Sequence, residues 1–188
     1  MADETLECYI RQHIEAQMGE TVTFAWQGGE PTMMGLPFFR RVVALSNQYA
    51  RGKKIDHALQ TNGMLVDEEW ARFFAEAHFL VGISIDGPAH LHNQYRVNRA
   101  AKVTHDKVMA AIALLKKHRV EFNTLTVVGK HNVGHPREVY DFLLATGSRH
   151  IQFIPLVERV SSDESSLLQL VMPGESAARL ASWTVPSW

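Results

Sequence analysis

A chain of 188 residues with 46% hydrophobic content is long enough for one domain with a sizeable core. Its 19 basic and 20 acidic residues leave a formal charge of -1, which excludes a nucleic-acid or membrane partner held by bulk charge. Cys8 is the one cysteine, so the chain can form no internal disulfide and no cysteine-based metal site of its own.

The mixed, acidic start MADETLECYIRQ is not a signal peptide, and no apolar run approaches the roughly 20 residues that span a bilayer. A soluble protein in a reducing cytoplasm is expected. Residues 4–18 space Leu6, Tyr9, Ile10 and Ile14 along one helical face, with Gly19 as a stop. VTFAW (22–26) reads as a strand, and 36–50 returns to helical spacing with Pro37 in its first turn. IDHALQ (55–60) is a second strand. Asp67 is placed to cap EEWARFFAEA, whose leading acids suit the positive end of a helix.

FLVGISI (79–85) is a continuous apolar run, expected to be a strand buried on both faces. Thr104 is expected to cap HDKVMAAIALLKKHR, VEFNTLTVV (120–128) is the next strand, and Pro136 opens the helix REVYDFLLATG. HIQFIP (150–155) follows as a strand. Helix and strand thus alternate through 1–158, which predicts a parallel sheet covered by helices. A (β/α) barrel, or part of one, and a doubly wound open sheet both fit this pattern. The Ser-rich stretch 159–188 breaks the rhythm and reads as a linker or tail.

Parallel α/β folds gather chemistry at the carboxyl ends of their strands, and the polar residues fall there. The first strand runs into Gln27-Gly28-Gly29-Glu30-Pro31 and the second into Gln60-Thr61-Asn62-Gly63. The third runs into Ser84-Ile85-Asp86-Gly87-Pro88, with Tyr95 and Arg96 beyond. The fourth carries Asn123, Thr124 and Thr126 with His131 and Asn132 after it, and the fifth passes into Leu156-Val157-Glu158. Each cluster alone reads more readily as a capped turn than as a site, because Gly, Asn, Asp and Pro form turns anyway. Five on one face point to a polar small-molecule pocket. The paired glycines lack the GxGxxG spacing, and no P-loop lysine follows them.

His90 and His92 form an HxH pair with no third ligand at a completing distance, so a solvated loop is expected rather than a metal site. Trp26 and the pairs Phe38-Phe39 and Phe73-Phe74 read as core, and Met33 and Met34 as core filler.

The runs TFAWQGGEPTMMGLPFF, LQTNGMLVDEEWARFF, VGISIDGPAHLHNQYR, VEFNTLTVV and IQFIPLVE together resemble the anaerobic sulfatase-maturating enzymes of the radical S-adenosylmethionine (SAM) superfamily, over roughly residues 4–158. The resemblance implies a partial (β/α)6 barrel. It implies a [4Fe-4S] cluster and SAM as cofactors, a sulfatase polypeptide as partner, and oxidation of a Cys or Ser of that polypeptide to formylglycine. It places Gly28, Gly29 and Glu30 at the methionine amino group of SAM, where a carboxylate suits an ammonium. Ser84 and Arg96 match positions near the SAM carboxylate and ribose, suited to hydroxyl and guanidinium donors. Leu156 matches an apolar position at the adenine, and Gln27, Gln60 and Asn62 match the pocket surround.

The family's CxxxCxxC motif and its Cys-rich C-terminal domain have no counterpart in these residues, and one thiolate, Cys8, does not hold such a cluster. The chain is therefore expected to be the central barrel portion of a maturase, inactive by itself and lacking the family's first strand. That leaves the strand 22–26 as an unpaired sheet edge. Two alternatives stay open. One is a non-enzymatic remnant that binds SAM or a nucleoside weakly. The other is a redox-free (β/α) enzyme, for which the one candidate Schiff-base lysine is Lys130.

Overall fold

The structure is a computed structural model that describes residues 1–156; Val157, Glu158 and the expected tail 159–188 lie outside the described residues. Its elements follow the expected alternation. Helix α1 (Asp3–Ala16) precedes strand β1 (Thr21–Trp26), and a 3-10 turn (Pro31–Met34) leads into α2 (Leu36–Tyr49). Then come β2 (Lys54–Thr61), α3 (Glu68–Glu76), β3 (Leu80–Ser84), the short α4 (Ala89–His92) and α5 (His105–Lys117). Strand β4 (Phe122–Val128), α6 (Pro136–Ala145) and β5 (Ile151–Pro155) complete it.

The five strands pair in parallel in the order β1-β2-β3-β4-β5. This order separates the two folds left open by the sequence. Right-handed crossovers that always step the same way put every helix on one face, whereas a doubly wound sheet must reverse its strand order. With helices on one face alone, the sheet curls into a half-barrel whose concave face is free. Within the described residues β1 pairs with β2 alone, so it forms one edge of the sheet.

The apolar residues divide accordingly. Leu6, Ile10 and Ile14 of α1 are buried against Val22, Phe24, Val42 and Leu45. Each such side chain contributes about 1.5–3 kcal/mol on burial. A larger cluster joins Phe39, Trp70, Phe73 and Phe74 to Val81, Ile83, Ile112, Leu115 and Leu143. The Asp67 carboxylate accepts from Trp70 N at 2.9 Å, the cap its position predicted.

Several expectations are corrected. Strand β3 is buried on its helix face only, since Leu80 on the concave face is 37% exposed; half a barrel leaves that face uncovered. Met33 and Met34 are exposed on the 3-10 turn rather than core filler. Thr104 stands at the start of α5 but its hydroxyl donates to Arg96 O at 2.7 Å. The α5 cap is Asn93, whose Oδ1 accepts from Thr104 N and His105 N at 3.2 and 3.1 Å.

Candidate functional site

Parallel register assigns side chains to faces, because paired residues point the same way. Ala25, Ala58 and Leu80 form one row across the concave face; Gln60, Gly82 and Asn123 form the next; Ser84, Leu125 and Gln152 form a third, nearer the carboxyl ends. Gln27, Gln60, Gly82 and Asn123 border a shallow cavity of about 150 Å³ on this face. Thr124 and Thr126, by contrast, are fully buried on the helix side. Thr126 Oγ1 donates to Ile85 O at 2.7 Å, so these two threonines serve the fold and do not face the pocket.

At the end of β1, Gly28 and Gly29 have φ of 98° and 58°, a region that penalises L side chains. No heavy atom stands within 4 Å of where a Cβ would sit on either. The loop is therefore both a turn and an open backbone surface. Glu30 is bound more tightly into the chain than the sequence suggests. Its Oε1 accepts from Thr32 N at 3.1 Å, Thr32 Oγ1 at 2.5 Å and Thr61 Oγ1 at 2.7 Å, and its Oε2 accepts from Asn62 N at 2.8 Å. One carboxylate thus caps the 3-10 turn and ties the β1 loop to the β2 loop. Thr61 Oγ1 in turn accepts from Gly63 N at 3.1 Å, and Asn62 Oδ1 from Met64 N at 2.9 Å. Asn62 itself is exposed at the mouth.

At the end of β3, Gln60 Nε2 donates to Ser84 Oγ at 3.0 Å across the concave face. Beyond Ser84 lies the buried Asp86. Arg96 grips it as a fork, Nε to Oδ2 at 2.5 Å and Nη2 to Oδ1 at 3.0 Å. Asp86 Oδ1 also accepts from Val127 N at 2.9 Å. Two of the five guanidinium N–H groups are engaged there, and the side chain of Arg96 remains 24% exposed. Asn132 closes the same junction, with Nδ2 donating to Asp86 O and Val127 O at 3.2 and 2.9 Å and Oδ1 accepting from Gly129 N at 2.9 Å. Leu156 N donates to Val128 O at 2.8 Å, which carries its side chain to the end of β5.

His92 is fully buried, not solvated as the HxH pattern suggested. Its Nδ1 accepts from Asp86 N at 3.2 Å, which requires the neutral ring with the proton on Nε2. That nitrogen donates to Thr104 Oγ1 at 3.0 Å, and Thr104 donates onward to Arg96 O. Burial pushes the His92 pKa down to about 4, opposed by the nearby Asp86. His57, on the helix side of β2, is likewise pushed to about 4 by burial. It stacks on Phe79 and Phe24 at 4.9 and 5.4 Å. His131 packs on Tyr95 at 4.6 Å, and desolvation lowers its pKa too.

Gln27, Gly28, Gly29, Glu30, Gln60, Asn62, Ser84 and Leu156 thus stand at the carboxyl ends of β1, β2, β3 and β5, with Arg96 on the segment after β3; direct contacts join Glu30 to Asn62 and Gln60 to Ser84. Thr61, Asp86 and Asn132 belong to the strand-end clusters read from sequence but serve as supports; Gly82 and His92 lie outside those clusters. Gly82 was legible, since a glycine inside a strand often marks a close approach. His92 was not, because burial depends on α5 folding over it. Among the described residues no group of three or more His, Cys, Asp or Glu side chains is placed to hold a metal ion. No helix among them is long and apolar enough to cross a membrane.

This arrangement has known counterparts. The serine-type anaerobic sulfatase-maturating enzyme of Bacteroides thetaiotaomicron is 44% identical over 164 residues, covering 87% of this chain and 40% of that protein. The cysteine-type enzyme of Clostridium novyi is 38% identical over 148 residues, covering 78% of this chain and 40% of its own length. The solved structure of native anSMEcpe with bound AdoMet and Kp18Cys peptide superposes with a TM-score of 0.82 at 38% identity, over 88% of this chain and 46% of that one. The chain thus spans less than half the length of these relatives. Residues 2–143 match the profile of the Radical SAM superfamily, and the chain belongs to that superfamily.

Proposed function

We propose that this chain forms the SAM-holding half-barrel of an anaerobic sulfatase-maturating type of radical SAM enzyme. The observation that carries the reading is the joint exposure, at one end of the sheet, of the open Gly28-Gly29 backbone, the Ser84 hydroxyl and the unengaged part of the Arg96 fork. These suit the ends of an amino-acid-bearing nucleoside. Backbone carbonyls of the glycine loop would meet the ammonium, and Ser84 and Arg96 would meet the carboxylate and ribose. Leu156 would cover the adenine, and Gln27 and Asn62 the peptide side of the mouth. Glu30, holding four hydrogen bonds from its own chain, would shape the amino-group pocket and lend it negative charge.

When bound, SAM would supply the radical chemistry of this family, the oxidation of a Cys or Ser of a sulfatase polypeptide. The residues present do not fit the [4Fe-4S] cluster, because Cys8 is the one thiol of the 188 residues and lies half-buried in α1. The reading for these 188 residues is therefore binding of SAM rather than assembly of the cluster. What the chain's own residues do is bind, orient and position.

Calorimetric titration with SAM tests the reading, alongside anaerobic incubation with iron and sulfide. Saturable SAM binding, weakened by Arg96→Ala and Ser84→Ala, without stoichiometric cluster or 5′-deoxyadenosine is expected. Absence of SAM binding refutes the SAM site, and a stoichiometric cluster refutes the reading that these residues do not hold one.

A further inference from the structure

Gly82 sits in the middle of β3, where glycine is unfavourable for a strand. Its backbone is not among the positive-φ glycines, so conformation does not require it. Space does. A Cβ on Gly82 would lie 1.9 Å from Gln60 Oε1 and 2.8 Å from Gln60 Cδ. The two residues are register partners on adjacent strands, and the Gln60 side chain lies flat across Gly82 to reach Ser84 Oγ at 3.0 Å. The bare strand position is the channel through which Gln60 crosses the concave face.

The direction of this bond has a chemical consequence. A serine hydroxyl offers one donor and two acceptor sites. Gln60 Nε2 occupies an acceptor site, and among the described residues no atom accepts the Ser84 hydroxyl hydrogen. We propose that Gln60 is a positioning residue that, by donating to Ser84 Oγ, keeps the Ser84 hydroxyl hydrogen free for the bound ligand, with Gly82 kept bare to let it pass. The ligand group this favours is an acceptor oxygen, a carboxylate above all. The inference rests on the SAM reading above for the identity of that ligand and on the structure alone for the Gln60–Ser84 contact.

Two measurements on the 188-residue chain test it. In the ligand-free protein, NMR of the Gln60 side-chain amide shows protons slow to exchange with solvent, and Ser84→Ala and Gly82→Ala each abolish that protection. A freely exchanging Gln60 amide in the unmutated chain overturns the proposal. In SAM titrations, Q60E weakens binding about tenfold, the scale of one hydrogen bond to a charged group. Its carboxylate only accepts, and so takes the Ser84 hydrogen away from the ligand. Q60M, similar in length and without polar atoms, weakens binding less. The double variant Q60E/S84A binds no more weakly than S84A, because Gln60 acts through Ser84. Unchanged affinity in Q60E, or additive losses in the pair, overturns the proposal, and thermal midpoints measured alongside separate these effects from loss of fold. SAM binding that ignores Gln60 overturns this inference alone; no SAM response in the unmutated chain overturns the SAM reading and the ligand half of this inference together.

Discussion

Acid should destabilise this protein well above the pH at which its carboxylates titrate. His57 and His92 are 6% and 0% exposed, and burial lowers both pKa values from 6.5 to about 4. Each Nδ1 is committed as an acceptor, from Trp26 Nε1 at 3.4 Å and from Asp86 N at 3.2 Å, so protonating either ring breaks a bond as well as burying a charge. Because the folded pKa lies below the unfolded one, the unfolded chain binds protons that the folded chain refuses. The stabilisation is fully present above pH 6.5 and drains as the pH falls toward 4. Between pH 7.5 and pH 5 each histidine removes about 2 kcal/mol, or about 4 kcal/mol together. That is a large part of a typical total of about 5–15 kcal/mol. Urea denaturation followed by tryptophan fluorescence at half-unit pH steps gives the curve. Near pH 5.5 its slope corresponds to about two protons taken up on unfolding. A flat profile from pH 7.5 to 5 refutes the reasoning, as does a His57→Gln variant that leaves the slope unchanged.

Other perturbations follow from the same contacts. Asp86→Ala leaves Arg96 without its fork partner and strips Val127 N of its acceptor, and should cost about 3–5 kcal/mol, read by chemical denaturation. Glu30→Gln turns an amide NH2 toward donors that all need an acceptor, and about 1–3 kcal/mol is expected; hydrogen exchange at Asn62 N should quicken with it, while Glu30→Asp restores little because its side chain is one methylene short. Ile10→Ala opens a cavity between α1 and the sheet worth about 2–5 kcal/mol, and a thermal midpoint within 2 °C of the parent would show that α1 is not part of the cooperative unit.

Much of the fold was written in periodicity. The 3.6-residue spacing of Leu6, Ile10 and Ile14, the Asp67 cap and the β-branched runs of β3 and β4 are local signals, and the structure returns them within a residue or two. The sequence also pointed to a place, because polar residues gather in the loops after the strands, although several of them serve those turns. The roles within it were less legible. Glu30 read as a free carboxylate, and whether Thr61 and Asn62 would reach it depended on the β1–β2 register. His92 read as part of a solvated loop because the HxH pair has no third ligand to make a metal site, while its burial comes from Thr104 and His105, a dozen residues on.

By itself the sequence determined the order of elements, the class of fold and the gathering of polar residues, Gln27 to Glu30 and Ser84 among them, at the strand ends. Only the tertiary structure decided that the strand order runs without reversal, so that helices cover one face and the other lies open as a concave surface. It alone placed Gln60 over Gly82 and locked Arg96 on Asp86. The physical reason is the reach of each interaction. Propensity, capping and turn chemistry act over a few residues and can be read along the chain. Hydrogen bonds such as Gln60 to Ser84 join atoms 24 positions apart, and those partners are chosen by strand register and packing.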